Sequence, residues 1–317
     1  MALTKTYETL WGEPSWLAEA RGWIEEQLSA HGREIAGEVE QPHLEQWATA
    51  LRVPATGGVV WFKACLPELA FEREVLALLS ARRPELVPRV LATDAERSWL
   101  LLDDAGERLR ELESTQGQID RWANALERYA ELQQAAAPDA DAFVAAGTID
   151  RRGMRLLDQL DEVLESDYGL ETDEVERVRA LRPKLEADAE LLGDLCVPDS
   201  IQHDDLHDFN ILVRGDEYRI IDWGDCCVAH PFHSLAVPLE VVERRLGSDA
   251  VHRVRAAYVD VWSVSASPEQ LGAAYLLGFV SNTLKEHEVS NLVPDKERHG
   301  FADSLPLRLR KVVELCA

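Results

Sequence analysis

Between Pro14 and His31, apolar residues recur three and four apart: Trp16, Leu17, Ala20, Trp23, Ile24 and Leu28. That period predicts an amphipathic helix, which Gly32 ends. From Glu38 to Leu102 the pattern becomes short apolar runs broken by turn residues, with Thr56-Gly57-Gly58 before VVWFKA and Arg97-Ser98 before WLLL. Such runs predict a small sheet, interrupted by one helix over Leu69 to Ser80 whose apolar face is Val75, Leu76, Leu78 and Leu79. Beyond Asp103 helical periodicity prevails, over 121–137 and over 151–165, where Leu156, Leu160, Val163 and Leu164 share a face. A sheet-rich first third and a helix-rich remainder predict an α+β fold of two lobes, 1–103 and 104–317, joined near residues 103 to 107.

Composition narrows the class. The 317 residues carry 33 Lys and Arg against 58 Asp and Glu, a formal net charge of −25. That balance excludes a nucleic-acid binder working by bulk charge, because a polyphosphate is held by a basic face. The hydrophobic share, 46%, is that of a chain able to bury a core rather than stay disordered. The longest uncharged apolar-rich stretch, Gln270 to Leu284, falls short of the roughly 20 residues that span a bilayer, so no membrane segment is expected. Lys5 is followed by no apolar stretch of the signal-peptide kind. The cysteines Cys65, Cys196, Cys226, Cys227 and Cys316 lack CxxC spacing, which suits reduced thiols in a cytoplasm.

The chemistry is concentrated in Ile201 to Asp225, IQHDDLHDFNILVRGDEYRIIDWGD. NILVR and YRIID flank Gly215-Asp216-Glu217 and predict a hairpin with a three-residue loop. Pairing 214 with 218 then sets Asn210 opposite Asp222, with Cα atoms about 5 Å apart. Together with Asp205, five residues before Asn210, these make a compact cluster of hard oxygen donors of the kind that suits Mg²⁺ on substrate phosphates.

The run His203-Asp204-Asp205-Leu206-His207-Asp208-Phe209-Asn210, followed by Ile221-Asp222-Trp223-Gly224-Asp225, resembles the catalytic loop and metal motif of the aminoglycoside phosphotransferase and choline kinase-like group. These are small-molecule relatives of protein kinases. The resemblance implies a bilobal protein-kinase-like fold, with a small β-rich lobe that binds nucleotide and a larger helical lobe with the acceptor site. It implies ATP and Mg²⁺ as cofactors and phosphoryl transfer to a hydroxyl of a small molecule. By the same resemblance Asp205 orients the acceptor hydroxyl and takes its proton, and Asn210 and Asp222 hold Mg²⁺. Lys63, in VVWFKA, would neutralise the ATP phosphates, paired with Glu74 of FEREVLALL; Glu72 is the competing candidate. WLLLDDAG would be the interlobe linker, the backbone near Leu102 and Asp103 facing adenine, although Leu101 and Leu102 equally fit plain strand core. His203 is expected to anchor the catalytic loop, while His207, Asp225 and His230 are structural or acceptor-side candidates.

Two departures from the family pattern concern the acceptor. Position 204 is Asp where many aminoglycoside enzymes have Gly, and the usual DPxxDLA is here HPFHSLA, 230–236. Only seven residues separate Asp222 from His230, too few for a long activation segment, which favours a small acceptor over a protein. Between Asp158 and Asp194 there are 13 acidic and 4 basic residues, a balance of −9. That excess predicts attraction of a cationic, hydroxylated acceptor such as an amino sugar or aminoglycoside. Two other readings compete: a transition-metal hydrolase using His203, His207, His230 and His233 with the neighbouring aspartates, and a non-catalytic kinase-like binding module.

Overall fold

In the computed structural model the described residues are 7–112, 115–166, 168, 170–292 and 304–316. The chain opens with helices α1 (Tyr7–Trp11) and α2 (Pro14–Ala30). Strands β1 (Glu40–Leu44), β2 (Ala48–Ala55), β3 (Gly58–Cys65), β4 (Val90–Asp94) and β5 (Trp99–Asp103) then form an antiparallel sheet in the order β1-β2-β3-β5-β4, with helix α3 (Glu72–Arg82) inserted between β3 and β4. Strand alternation determines what each face of this sheet does. On β3, Val60, Phe62 and Ala64 are buried toward α2, while Val59, Trp61 and Lys63 lie on the other face, toward the cleft. Trp16 and Trp23 of α2 meet Phe62 and Trp99 edge-on, at ring-centroid distances of 5.6 to 6.0 Å. Edge-to-face packing of this sort adds to what area burial contributes. Helix α3 starts at Glu72 rather than Leu69, because Pro67–Leu69 forms a separate 3₁₀ turn.

The chain leaves the first sheet at Asp103 and enters a second through β6 (Glu107–Arg108). Gly106 makes this passage possible: its φ is +119°, and a Cβ there would lie 2.5 Å from the Val213 carbonyl oxygen. The remainder is helical: α4 (Thr115–Ala136), α5 (Ala140–Ala146), then strand β7 (Ile149–Asp150), α6 (Arg155–Val163), α7 (Thr172–Arg179) and α8 (Arg182–Gly193). Strands β8 (Ser200–Gln202), β9 (Ile211–Arg214), β10 (Glu217–Ile220) and β11 (Cys227–Ala229) follow, in two three-stranded sheets ordered β10-β9-β6 and β7-β11-β8. Helices α9 (Ala236–Leu246), α10 (Ser248–Val261), α11 (Pro268–Leu292) and α12 (Ser304–Leu315) complete the lobe. The fold is α+β with two lobes, as the sequence pattern predicts.

Helix α11 contains the uncharged run Gln270 to Leu284. Its residues Ala273, Ala274, Leu277, Val280, Ser281, Thr283 and Leu284 are all buried, as expected of a helix segment with no charge on any side. Gly278 lets it press against the backbone carbonyl of His233, where a Cβ would collide. None of the helices among the described residues is long and apolar enough to cross a membrane.

The hairpin differs from the sequence expectation by one residue. Arg214 pairs with Glu217 and Ile211 with Ile220, so the loop is the two residues Gly215-Asp216, with Gly215 at φ +64°. A glycine in the left-handed region supports the tighter turn. Asn210 therefore faces Ile221, whose N–H donates to its carbonyl at 3.0 Å. Asp222 sits one residue further on, at φ +65°, turned out of the strand.

Candidate active site

The cleft between the lobes encloses a cavity of about 1140 Å³. Lys63, Asp205, His207, Asn210, Asp222 and Asp225 line it, with Leu102 and Asp103 where the lobes join. Residues 159 apart in sequence meet here because β3 presents Lys63 on its cleft face and the turned-out backbone at Asp222 presents that carboxylate to it.

Lys63 Nζ lies 2.5 Å from Asp222 Oδ1 and 2.6 Å from Glu72 Oε2. Burial disfavours its charge, but the two carboxylates outweigh that, and its pKa is raised. Glu72 is buried, and its Oε1 accepts the Trp223 N–H at 3.0 Å, so one side chain fixes both the lysine and the loop carrying Asp222. This corrects the assignment of Glu74, which pairs with Arg73 at 2.7 Å outside the cleft. Two helical residues two apart point about 200° away from each other, so only one of this pair can face Lys63. Asp222 itself is held below the ordinary carboxylate range, chiefly by Lys63.

The segment from His203 to Asn210 is held by buried contacts. His203 is fully buried; its Nε2 donates to the Ile221 carbonyl at 2.7 Å and its Nδ1 accepts the Asp205 N–H at 3.3 Å. Burial lowers its pKa, which keeps the ring neutral and fits this donor and acceptor pairing. Asn210 Nδ2 donates to the Asp205 carbonyl at 3.0 Å, leaving Oδ1 for a cation. Asp205 Oδ1 meets Lys285 Nζ at 2.9 Å, and Oδ2 lies 3.4 Å from His207 Nε2. Burial would raise the Asp205 pKa, but His207 and Lys285 together bring it below its ordinary value. Asp225, 3.7 Å from Lys285, is pushed up to about 7, mainly by burial and against the pull of that lysine.

The aspartate at 204 has a structural explanation. Its backbone is left-handed at φ +58°, and its carboxylate, 3% exposed, pairs with the fully buried Arg151 and accepts from Ser281 Oγ at 3.0 Å. Arg151 reaches on to Glu288 at 2.7 Å. The loop carrying Asp205 is thereby tied through a buried ionic network to Arg151, which follows β7, and to α11.

His230 lies outside the cavity; its Nδ1 accepts the Phe232 N–H at 3.2 Å, and burial lowers its pKa to about 4. The Asp103 N–H donates to the Arg89 carbonyl at 2.9 Å, so it is committed within the lobe rather than offered to a ligand. Asp103 Oδ1 receives Arg33 at 3.0 Å. The hydrolase reading finds no support: no metal-holding group of three or more His, Cys, Asp and Glu is present among the described residues. The helices of 158–194 contribute no residue to the cavity wall, and Arg182 forms ion pairs with Asp158, Asp161 and Glu186 among their acids.

Lys285 and Arg151 escaped the sequence reading. A signal for Lys285 exists in retrospect, since it follows directly on the uncharged run that ends at Leu284. For Arg151 there is none, because its partner is 53 residues away.

Residues 60–272 match the phosphotransferase enzyme family, and the chain belongs to that family. In class it is a phosphotransferase. No curated protein sequence matches it significantly. Among solved structures, a choline/ethanolamine kinase family protein from Mesorhizobium loti superposes with a TM-score of 0.64 at 18% identity, over 94% of this chain and 95% of that one. Choline kinase LicA from Streptococcus pneumoniae gives 0.62 at 14% identity, covering 92% and 98%. A thermostable mutant of aminoglycoside phosphotransferase APH(4)-Ia, in ternary complex with AMP-PNP and hygromycin B, gives 0.61 at 15% identity, covering 94% and 99%. At such identities the likeness is one of fold.

Proposed function

We propose that this protein transfers the γ-phosphoryl group of ATP to a hydroxyl of a small molecule. The observation that carries the reading is the convergence of Lys63, Asp205, Asn210 and Asp222 on one cavity large enough for a nucleotide and a small acceptor. In the proposed step the acceptor oxygen attacks the γ-phosphorus, the bond from that phosphorus to the bridging oxygen breaks, and the electron pair leaves with ADP. Asp205 orients the hydroxyl and receives its proton, a role open to a carboxylate kept ionised by its neighbours. Lys63, positioned by Glu72, holds the phosphates. Phosphoryl transfer needs mainly positioning and charge neutralisation, and these groups supply both.

The donor set fits Mg²⁺. Asn210 Oδ1 and the Asp222 carboxylate are two hard oxygens beside a phosphate-sized space, which suits an ion that keeps several waters and bridges to phosphates. Bound there, Mg²⁺ would neutralise charge on the nucleotide.

For the acceptor, the relevant acids are those on the cavity wall rather than the helices of 158–194. On that wall nine carboxyl side chains, Asp205, Asp225 and Glu286 among them, stand against the six cations Arg52, Lys63, Arg108, Arg121, Arg214 and Lys285. That excess supports a cationic, hydroxylated acceptor of the amino-sugar or aminoglycoside kind. The test is ADP release from Mg-ATP over a panel of cationic, neutral and anionic alcohols, with the phosphorylated product identified by mass. Best turnover of anionic or neutral alcohols, unaffected by salt, would overturn the cationic assignment. Turnover that needs zinc and no ATP would overturn the kinase reading altogether.

A further inference from the structure

Helix α11 is uncharged from Gln270 to Leu284 and then places an ammonium, Lys285, against the Asp205 carboxylate. The residue is 9% exposed. A lysine at such a site loses hydration, and a packing residue would be the cheaper choice unless the charge is used. Its pKa is raised, with burial opposed by Asp225 and Asp205, so it stays charged. Nζ carries three N–H donors. Asp205 accepts one at 2.9 Å, and Asp225 at 3.7 Å is beyond hydrogen-bond reach. A donor therefore remains for a ligand in the cavity that Lys285 lines.

The charges around the cleft suggest which ligand. Lys63 is committed to Glu72 and Asp222 on the nucleotide-lobe side, and Arg151 to Asp204 and Glu288 below the loop. Lys285 is in direct contact with the Asp205 carboxylate, the group that orients the acceptor hydroxyl in the phosphotransferase reading. In that reading the phosphoryl group leaving ADP for the hydroxyl passes Asp205 and Asp222, both carboxylates held ionised by their neighbours. Charge spread over its equatorial oxygens during transfer then calls for a cation on the acceptor side.

Building on the phosphotransferase reading, we propose that Lys285 is a catalytic residue that binds the phosphoryl group in flight, donating to its oxygens while the P–O bond to ADP breaks and the bond to the acceptor forms. It is a second cation opposite Lys63, delivered from the C-terminal helix rather than from the catalytic loop. Its contribution is greater to the transition state than to bound ATP.

The test uses Mg-ADP with and without aluminium fluoride, which mimics the transferring phosphoryl group, so no acceptor need be known. Calorimetric affinities are compared for wild type, Lys285→Met and Lys285→Arg. Lys285→Met should weaken the fluoroaluminate complex by at least about tenfold more than it weakens Mg-ADP, because transition-state contacts are lost selectively, and Lys285→Arg should restore part of the difference. The readout is a ratio between two ligands on one sample, so partial unfolding cannot imitate it. Equal losses for both ligands, or none, would refute the role of Lys285. Wild-type protein that gains nothing from aluminium fluoride would instead refute the phosphotransferase reading on which the role rests.

Discussion

Replacing Arg151 by Met removes the counter-ion of Asp204, and its cost can be worked from the burial of both partners. Arg151 is 0% exposed at the side chain and Asp204 3%, so neither charge recovers hydration when the other is lost. Breaking such a pair by truncating one partner costs about 3 to 5 kcal/mol, because an uncompensated charge is left behind. Against a total stability of roughly 5 to 15 kcal/mol, that is a large share. At about 2 to 4 °C per kcal/mol for a chain of this order of size, Tm should fall by on the order of 10 °C. The assay is urea and thermal unfolding of wild type, Arg151→Met, Asp204→Asn and the double variant. Asn at 204 can still accept from Ser281 without a charge, so the double variant should be more stable than the sum of the singles by at least about 1 kcal/mol. Additive losses, or an Arg151→Met protein within about 1 kcal/mol of wild type, would show that the pair does not hold the loop as argued.

Glu72→Gln should lower kcat/KM for ATP by about tenfold or more, whereas Glu74→Gln should leave it within about twofold; the reverse order would restore Glu74 as the partner of Lys63. Lys63→Ala should raise KM for ATP and lower kcat/KM, and an unchanged kcat/KM would contradict its role on the phosphates. Asp225 gives a pH signature: its folded pKa is raised above the unfolded value, so its stabilising contribution is full in acid and is lost as pH rises through about 7. Asp225→Asn should therefore raise Tm relative to wild type at pH 8.5 and not at pH 4, as read by differential scanning fluorimetry. His230 carries the opposite sign, since its pKa is lowered to about 4: burial of the neutral ring stabilises above its unfolded pKa near 6.5, and this is lost as pH falls toward 4. His230→Gln should accordingly flatten the acid limb of the Tm profile, and an unaltered limb would show that His230 is not responsible for it.

Local patterns in the chain were sufficient for much of this architecture. The spacing of Trp16, Ala20, Trp23 and Ile24 marks α2 because a helix that covers a sheet must repeat its apolar face every three to four residues. The alternation around Lys63 likewise shows which face of β3 looks into the cleft. What local pattern could not settle was geometry decided by single backbone angles or by distant partners. The hairpin closes one residue earlier than expected because Gly215 takes a left-handed φ, and that moves Asp222 from facing Asn210 to facing Lys63. Glu72 and Glu74 are equivalent in composition, and the start of α3 after the Pro67–Leu69 turn selects between them. The acidity of 158–194 is visible in the sequence, but only the packed structure shows it turned away from the cavity and partly neutralised by Arg182.

Transfer of label from γ-labelled ATP to a cationic alcohol in Mg²⁺ tests the central claim most directly, with Asp205→Asn and Asp222→Ala run beside wild type. Wild type should give labelled acceptor, Asp205→Asn should lose about 10² to 10⁴ in rate as the proton acceptor is removed, and Asp222→Ala should give no transfer. Undiminished transfer by either variant, or label released only to water whatever alcohol is offered, would contradict that claim.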